Sequence, residues 1–468
     1  MEPEVSGTLN RQYLDQISEE IRQVYLNDRR PWIIGYSGGK DSTTALQLIW
    51  YALAKLPVEQ RAKPVYIISS DTLVETPKFV DYIDNSLDCM NKAAQEQNLP
   101  FTAHKVRPVL DDTFWVNLIG RGYPAPSSQF RWCTERLKID PANRFILDKV
   151  TAHGEVVVVL GVRKAESATR AQVMSLHQIK GSPLSRHSTL PNAYAYTPIK
   201  DFSTNDVWIY LLQVPSPWGN SNHQLVTLYK NAQSGECPLV VDKTTPSCGN
   251  SRFGCWVCTV VTRDTSMESM IENGEDWLEP MLEFRNMLAA TQDVAVKGQV
   301  RSLKRRNGQV MTKSSGEGFV YGPYKMEQRK KLLRLLLQTQ NQVRASGPNS
   351  GQVLISPQEL EQIRRIWRTE EQDWEDSVPK IYREVTGEDL AWVADELPAF
   401  SAEERSTLDM ICARQGVSSD MVAKLLDVER ALHAVSRRAG VQQKIASVLA
   451  EEWRNEDEIL ASEKGAAS

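Results

Sequence analysis

The stretch WIIGYSGGKDS, residues 32–42, joins an apolar run to a glycine turn and the start of a segment with helical character. A strand, a glycine turn and a helix N-terminus together bind anions, because unpaired backbone N–H groups and the helix dipole point at the ligand. Gly38 and Gly39 let the backbone approach a phosphate closely, and Lys40 supplies a cation. The stretch predicts a phosphate-binding loop; the alternative is an ordinary turn that holds two glycines.

An alternation of strands and helices extends outward from this loop. Apolar runs with strand character occupy residues 31–36, 64–69, 101–109 and 155–162, and helical periodicity occupies residues 9–26, 42–56 and 76–97. The alternation predicts an α/β fold with a doubly wound, mostly parallel sheet that binds ligands at the carboxyl ends of its strands. Beyond about residue 345 the pattern is helical, with Ser356 and Ser401 as caps, and we expect a disordered tail over residues 458–468.

The composition is that of a globular protein. The chain of 468 residues is long enough for two or three domains, and 41% of its residues are hydrophobic while 24% are charged. No run of about 18 apolar residues occurs, and the first residues lack a secretory pattern, so we expect a cytoplasmic protein without a membrane span. Because the formal net charge is -4, any contact with nucleic acid must come from a local basic patch.

Four of the seven cysteines follow one another with the spacing C-x10-C-x6-C-x2-C. They are Cys237, Cys248, Cys255 and Cys258. Four thiolates can hold a structural zinc ion or a 4Fe-4S cluster, and the spacing alone does not separate these interpretations. Zinc ribbons usually pair two C-x2-C knuckles and this sequence has one, which favours iron–sulfur. A third interpretation, four unrelated buried thiols, needs no metal.

The glycine loop differs from two well-known phosphate loops. Lys40 is followed by Asp41 rather than Ser or Thr, which excludes a Walker A loop, and the glycine spacing excludes G-x-G-x-x-G. SGGKDS instead resembles the PP-loop of the ATP pyrophosphatase family, whose members split ATP into AMP and pyrophosphate while adenylylating an acceptor. The resemblance implies that the loop holds the β- and γ-phosphates of ATP, with Mg²⁺, through Ser37, Gly38, Gly39, Lys40, Asp41 and Ser42.

Three further segments narrow the resemblance to one branch of that family. They are WCTERLK at 132–138, GVRKAESATR at 161–170 and YTPIKDFSTNDVW at 196–208, and they resemble elements of the phosphoadenylylsulfate (PAPS) reductase-like branch. Within that branch, the SGGKDS loop, GVRKAES and the cysteine set resemble the DndC-type sulfurtransferases of bacterial DNA phosphorothioation, over roughly residues 10–345. The resemblance implies catalytic roles for Lys40, Asp41 and Arg163, and a 4Fe-4S cluster on the four cysteines.

Four residues are candidate nucleotide contacts, each with a structural alternative. Arg163 and Arg170 carry planar guanidinium groups that suit phosphate or sulfate, and Glu166 can orient them. The alternative is that these arginines form salt bridges within a loop. Asp71 follows the second strand, where it can meet the nucleotide or cap its own loop.

Two cysteines outside the cluster set have different contexts. Cys133 lies between Arg131 and Arg136, which favour a thiolate, and this makes it the candidate catalytic carrier of sulfur. The alternative for Cys133 is a small buried hydrophobic side chain. Cys412 lies in an apolar helical context and is predicted to belong to a core.

One segment offers a basic surface for DNA. The segment from residue 301 to residue 331 contains nine basic residues and only two glutamates, and aromatic residues and glycines are interleaved with them. The nine are Arg301, Lys304, Arg305, Arg306, Lys313, Lys325, Arg329, Lys330 and Lys331. Such a segment suits phosphate contacts and base stacking; the alternative is a solvated loop and helix face.

These observations predict one organisation and one leading function. Residues 1–215 are expected to form the PP-loop domain, 216–290 the cluster region, 291–345 the candidate DNA contact and 346–468 a helical region. The resemblance implies ATP-dependent replacement of a DNA phosphate oxygen by sulfur, with a cysteine desulfurase as donor and other DNA phosphorothioation proteins as partners. The alternatives are the same chemistry on RNA, as in tRNA thiolation, or on a small sulfonucleotide, and an inactive zinc-stabilised nucleic-acid-binding subunit.

Overall fold

A computed structural model describes residues 11–166, 172, 175–232, 254–313, 318–393, 400–433 and 440–466. The chain forms two compact units. The first unit comprises Met1–Asp112 and Ser128–Leu282, and the second comprises Thr113–Ser127 and Glu283–Ser468. The four segments expected from the sequence stay a prediction.

The first unit contains a mostly parallel sheet. Its strands, within the described residues, are β1 (Trp32–Gly35), β2 (Val65–Ser70), β3 (Phe101–Val106), β4 (Val156–Val159), β5 (Ser185–Arg186) and β6 (Ala193–Tyr196). Their order across the sheet is β3-β2-β1-β4-β6-β5, and the pairing is parallel everywhere except between β5 and β6. The predicted fold class, a doubly wound and mostly parallel sheet, is confirmed.

The two central strands, β1 and β4, are apolar and buried along their whole length because both faces of the sheet are covered there. Trp32 and Ile34 of β1 pack into a core that includes side chains of the helices α1 (Arg11–Leu26), α2 (Lys40–Ala54) and α3 (Pro77–Glu96). Ile33 points to the opposite face, where it packs with Ile146. Alternate residues therefore serve opposite layers, which is the arrangement expected of a parallel strand buried on both sides.

The remaining helices of the first unit follow the strands in sequence. They are α4 (Trp132–Thr134), α5 (Asp140–His153), α6 (Thr204–Gln213), α7 (Asn222–Ala232) and α8 (Thr265–Glu272). A π-helical turn, Glu135–Ile139, joins α4 to α5 without interruption. The helix predicted over residues 42–56 begins two residues earlier, so Lys40 and Asp41 stand in its first turn.

The described part of the C-terminal region is mainly helical, as predicted, and further helices precede it. Its helices are α9 (Glu279–Ala290), α10 (Val294–Val300), α11 (Met326–Ser346), α12 (Pro357–Glu370), α13 (Ser377–Thr386), α14 (Ala402–Gln415), α15 (Ser419–His433), α16 (Val441–Leu449) and α17 (Glu456–Ala466). Ser356 and Ser401 begin α12 and α14 with capping boxes, and Cys412 is buried. Among the described residues, no helix is both long enough and apolar enough to cross a membrane.

The expectation of a disordered tail was wrong. The segment Glu456–Ala466 is a helix, and Ile459 is buried with Leu303 and Phe319 in a small core of the second unit. An ion pair of 2.7 Å between Lys325 Nζ and Glu456 Oε2 adds a polar contact. The segment is ordered because it buries one apolar side chain against a distant part of the chain.

Candidate functional site

The glycine loop lies where the strand order of the sheet reverses. β1 pairs with β2 on one side and with β4 on the other. The strands β2 and β3 therefore extend the sheet in one direction from β1, and the later strands β4, β6 and β5 extend it in the opposite direction. Ligands of doubly wound sheets bind at the carboxyl ends of the strands at this point. The segment after β1 carries SGGKDS, and the segment after β4 carries GVR. The fold therefore brings two of the motifs to one edge of the sheet.

The loop requires its glycines. Gly38 has a φ of +71°, and a Cβ at that position would lie 2.5 Å from Ile83 Cδ1. Gly161, which opens the GVR segment, lies against the start of α2, where an added Cβ would be 2.7 Å from the carbonyl oxygen of Asp41. Both glycines are thus required by close packing around the first turn of α2.

Backbone and hydroxyl donors converge at the start of α2. Gly39 is the N-cap residue and no side chain caps it. The hydroxyls of Ser37 and Ser42 lie 3.1 Å apart across the loop. A helix leaves its first N–H groups without intrahelical partners, so the N–H groups of Asp41 and Ser42 are donors for an anion. This geometry suits an anion, and the phosphate site itself stays a prediction.

A buried charge cluster stands beside these donors. Lys40, Asp41 and Arg163 are exposed by only 5%, 4% and 3%. Lys40 Nζ lies 3.0 Å from Asp41 Oδ2, and Arg163 Nε donates to the other carboxylate oxygen of Asp41. Arg163 Nη1 also donates to Thr204 Oγ1 at 3.1 Å. Two cations therefore share the carboxylate of Asp41.

The electrostatics of this cluster favour an anionic ligand. Burial lowers the pKa of Lys40, Asp41 opposes that change, and the positive charge of Arg163 lowers the pKa further. An additional negative charge near Lys40 would stabilise its ammonium form. A phosphate at the first turn of α2 supplies such a charge and accepts hydrogen bonds from the same backbone groups.

Asp71, a second candidate nucleotide contact, is occupied by its own loop. Its Oδ1 accepts a hydrogen bond of 3.0 Å from the N–H of Leu73, which has a φ of +65°. Its Oδ2 accepts one of 2.9 Å from Arg107 Nε. These contacts favour the loop-capping interpretation over the nucleotide-binding one.

The C-x2-C pair docks on the same loop. Cys255 forms an isolated β-bridge with Glu75, and the N–H of Trp256 donates to the carbonyl of Val74 at 2.9 Å. The Thr72 hydroxyl lies 3.3 Å from Cys255 Sγ. Because this loop follows β2, the cysteine pair stands at the carboxyl edge of the sheet, the edge that also carries the glycine loop.

Burial makes a thiolate costly at Cys255. Burial raises the pKa of Cys255 to about 12, although the positive charge of Lys138 lowers it. Burial likewise raises the pKa of Glu75 to about 7, against the same Lys138. A buried thiolate needs a positive partner, and a metal bound by Cys255 and Cys258 would be one. The chemistry of Cys255 and Cys258 is thus compatible with a role as two of the predicted metal ligands.

Part of the predicted site lies outside the described residues. This is true of Cys237, Cys248 and Arg170, and of the side chain of Glu166. Within the part of the chain that the structure describes, no group of three or more His, Cys, Asp or Glu side chains could hold a metal ion. The four-cysteine ligand set and the nucleotide roles of Glu166 and Arg170 stay predictions.

Cys133 is half-buried in α4, at the start of the helical run that leads to Lys138. Arg136 forms an ion pair with Asp112, so its charge is partly balanced. Arg131 Nη1 is buried and has no hydrogen-bond partner among the described residues. Arg131 is therefore the stronger of the two candidates for stabilising a thiolate at Cys133.

Several side chains at this site were missed as functional residues. Thr204 and Lys138 lie within quoted motifs but had no assigned role, and Glu75 follows Asp71 by four positions. Tyr229 had no signal in the sequence, because it lies 189 residues after Lys40, from whose N–H its hydroxyl accepts a hydrogen bond. Side chains brought in by a distant helix have no local pattern to reveal them.

The basic segment of the second unit is partly engaged in holding its own fold. Arg329 is buried, donates to the carbonyl of Tyr324 at 2.8 Å and pairs with Glu371 at 2.9 Å. Arg301 donates to two backbone carbonyls. The basic side chains that remain exposed are Arg305, Arg306, Lys313 and Lys331. These four are the remaining candidates for contact with nucleic acid.

Residues 31–261 match the family model described as Phosphoadenosine phosphosulfate reductase domain. An uncharacterized protein of Methanocaldococcus jannaschii is 27% identical over 238 residues, which are 51% of this chain and 38% of that protein. The chain thus spans well under two thirds of that relative. The match to the family model agrees with the mostly parallel sheet and includes the glycine loop.

Solved structures give weaker likenesses. Candida glabrata FMN adenylyltransferase, in complex with FAD and inorganic pyrophosphate, is 12% identical with a TM-score of 0.26, over 45% of this chain and 61% of that one. The U34-tRNA thiolase NcsA from Methanococcus maripaludis, with its 4Fe-4S cluster, is 14% identical with a TM-score of 0.26, over 47% of this chain and 75% of that one. TM-scores of this size carry no functional argument.

Proposed function

Starting from a PAPS reductase-like domain at residues 31–261, we propose that this chain is an ATP pyrophosphatase that transfers sulfur to the backbone of DNA. One observation carries the proposal. The SGGKDS loop begins α2 at the reversal point of the sheet, beside the buried cluster of Lys40, Asp41 and Arg163. A loop with backbone donors beside the cations Lys40 and Arg163 suits the leaving pyrophosphate of an adenylylation.

Activation of the acceptor is the first step. An oxygen of the DNA phosphate attacks the α-phosphorus of ATP, the bond to the β-phosphate breaks, and pyrophosphate leaves. Lys40 and the backbone donors of α2 stabilise the charge that develops on pyrophosphate. Asp41 is a positioning residue, because it holds both Lys40 and Arg163 in place. Mg²⁺ would be held by the phosphate oxygens and would balance their charge.

Sulfur enters in the second step. A sulfur nucleophile attacks the phosphorus of the activated DNA, the P–O bond to AMP breaks, and AMP leaves. Sulfur at the sulfide level completes this step without a redox partner. If Cys133 carries the sulfur as a persulfide, a thiol reductant must then cleave the S–S bond and become oxidised.

The cysteine set would hold the cluster. Cys237, Cys248, Cys255 and Cys258 supply four thiolates, and a 4Fe-4S cluster there would provide a place to hold sulfur or deliver electrons. An anaerobic absorption spectrum with iron, sulfide and zinc analysis tests this part. We expect about four iron and four sulfide per chain, since that is the content of one such cluster. One zinc without iron would make the cysteines a structural clip.

DNA is proposed as the acceptor on the strength of the DndC-type resemblance. Four exposed basic side chains of the second unit, Arg305, Arg306, Lys313 and Lys331, are compatible with it. The same resemblance supports a cysteine desulfurase as donor and other phosphorothioation proteins as partners. A small sulfonucleotide is the second candidate acceptor, favoured by the match to the Phosphoadenosine phosphosulfate reductase domain.

The proposed function is tested by giving the protein a choice of acceptors. The purified chain is incubated anaerobically with ATP, Mg²⁺, cysteine and a cysteine desulfurase, and with duplex DNA, tRNA or a sulfonucleotide. We expect AMP and pyrophosphate release to depend on DNA, and nuclease digestion with mass spectrometry to find phosphorothioate linkages. Release that depends on tRNA or on the sulfonucleotide would move the proposal to that acceptor. If no AMP or pyrophosphate were released with any of the three acceptors, the proposed ATP pyrophosphatase activity would be contradicted.

A further inference from the structure

Tyr229 of α7 contacts the glycine loop directly. Its hydroxyl accepts a hydrogen bond of 3.1 Å from the backbone N–H of Lys40, the first residue of α2. Lys40 Nζ lies 5.7 Å from the centre of the Tyr229 ring. The tyrosine is buried, and Trp208 of α6 meets its ring edge-on at 5.1 Å between centroids. Three contacts, two with Lys40 and one with Trp208, therefore hold this side chain in position.

The hydroxyl of Tyr229 takes up space and a donor that a phosphate would use. A Cβ added to Gly39 would lie 3.1 Å from the hydroxyl oxygen, so the oxygen stands close against the loop. The N–H of Lys40 is among the donors that a helix N-terminus offers to an anion. The phenol oxygen accepts that hydrogen bond in place of a phosphate oxygen, but it brings no negative charge to Lys40 and Arg163.

We propose that Tyr229 is a positioning residue that competes with the ligand for the first donor of α2 and so sets the affinity of the loop for pyrophosphate. The proposal rests on the proposed use of this loop for the phosphates of ATP. Pyrophosphate displaces the hydroxyl because its oxygens are charged acceptors, and charge-assisted hydrogen bonds are stronger than neutral ones.

Calorimetric titration with inorganic pyrophosphate tests the competition. Tyr229→Phe removes the hydroxyl and keeps the ring, so pyrophosphate no longer has to replace a hydrogen bond. We expect binding about three- to tenfold tighter than in the wild type, the range that one net hydrogen bond allows. The control is Tyr51→Phe, since Tyr51 also lies on α2 and its hydroxyl donates to the Pro215 carbonyl at 2.8 Å. That control should bind like the wild type.

The outcomes separate this inference from the proposed function. Equal or weaker binding by Tyr229→Phe, with a wild type that binds, overturns the competition and leaves the phosphate loop standing. If Tyr229→Phe binds pyrophosphate and the wild type does not, the result supports the competition, with a hydroxyl that blocks the site completely. No binding of pyrophosphate or ATP by either protein overturns both the phosphate loop and the competition.

Fluorescence provides a readout of the displacement itself. Trp208 meets Tyr229 edge-on, so movement of the tyrosine should change the emission of that tryptophan. We expect saturating pyrophosphate to change the difference spectrum between the wild type and Trp208→Phe. The same titration of Trp208→Phe by calorimetry verifies that this variant still binds. An unchanged difference spectrum at saturation would show that Tyr229 stays in place and would overturn the proposal.

Discussion

Buried cations occur in both units of the chain, yet they are balanced in different ways. In the first unit, Lys40 and Arg163 share the carboxylate of Asp41. In the second unit, Arg329 pairs with Glu371 and also donates to the carbonyls of Tyr324 and Gly120. In the first arrangement two cations contact the same carboxylate. The second pairs each charge and adds backbone acceptors.

The difference separates a binding site from a structural contact. A cation that carbonyls and a carboxylate already satisfy contributes to folding and has little to offer a ligand. Two cations around one carboxylate, next to helix N–H donors, are stabilised further when an anion arrives. Counting basic residues in the sequence does not distinguish these cases. Their partners in the fold do.

The largest expected effect breaks the structural contact. Arg329→Met should lower the free energy of unfolding of the second unit by roughly 3 kcal/mol, because it removes a buried charge and leaves Glu371 and two carbonyls without their partner. Urea unfolding measures this change. The matched control is Arg334→Met, an exposed arginine paired with Glu384, which should cost under about 1 kcal/mol. Equal costs for the two variants would contradict the structural role.

The next largest effect is expected from a substitution that disrupts the binding site and leaves the fold intact. Lys40→Met should reduce pyrophosphate release by roughly 100-fold, since it removes a preorganised charge from the leaving group. Stability should change little, because Asp41 keeps Arg163 as a partner. Lys55→Met is the control, as Lys55 is exposed at the other end of α2. If Lys40→Met lost stability and kept its rate of pyrophosphate release, Lys40 would serve the fold rather than the binding site.

The sheet and the glycine loop could be predicted because their signals are local. A strand buried on both faces is a continuous apolar run, and the loop is a contiguous motif. Strand ends were less certain: β3 stops at Val106 rather than residue 109, since Arg107 turns to pair with Asp71 and Pro108 has no N–H to donate. These differences do not change the position of the site.

Contacts between distant segments could not be predicted. The sequence of the last helix predicted a disordered tail, because the partners of Ile459, which are Leu303 and Phe319, lie far away in the sequence. Arg301 and Arg329 looked like candidate DNA contacts, because their carbonyl acceptors appear only in the fold. A polar side chain has no local signal that tells a partner within the chain from a ligand.

A smaller effect sharpens the comparison at the loop itself. Gly161→Ala adds a Cβ that would lie 2.7 Å from the carbonyl oxygen of Asp41, so the first turn of α2 must shift. We expect a loss of roughly 1–2 kcal/mol in stability from this overpacking, and weaker binding of pyrophosphate. Gly351→Ala is the control, because its Cβ meets only a side-chain oxygen of Asn349, at 3.3 Å. Urea unfolding measures the stability of both variants, and calorimetry measures their affinity for pyrophosphate. Equal results for the two variants would show that the close approach of Gly161 to Asp41 is not needed.

The smallest expected effect concerns the cations that neither unit buries. Arg305 is exposed, and if it contacts a DNA phosphate, Arg305→Gln should reduce the slope of log affinity against log salt by about 0.9. At about 0.15 M salt that corresponds to roughly fivefold weaker binding. Lys92→Gln is the control, since Lys92 is an exposed lysine of α3 in the first unit. An equal slope in the wild type and in Arg305→Gln would remove Arg305 from the DNA contact and leave Arg306, Lys313 and Lys331 to be tested in the same way. If all four gave the wild-type slope, these exposed side chains would have no part in DNA binding.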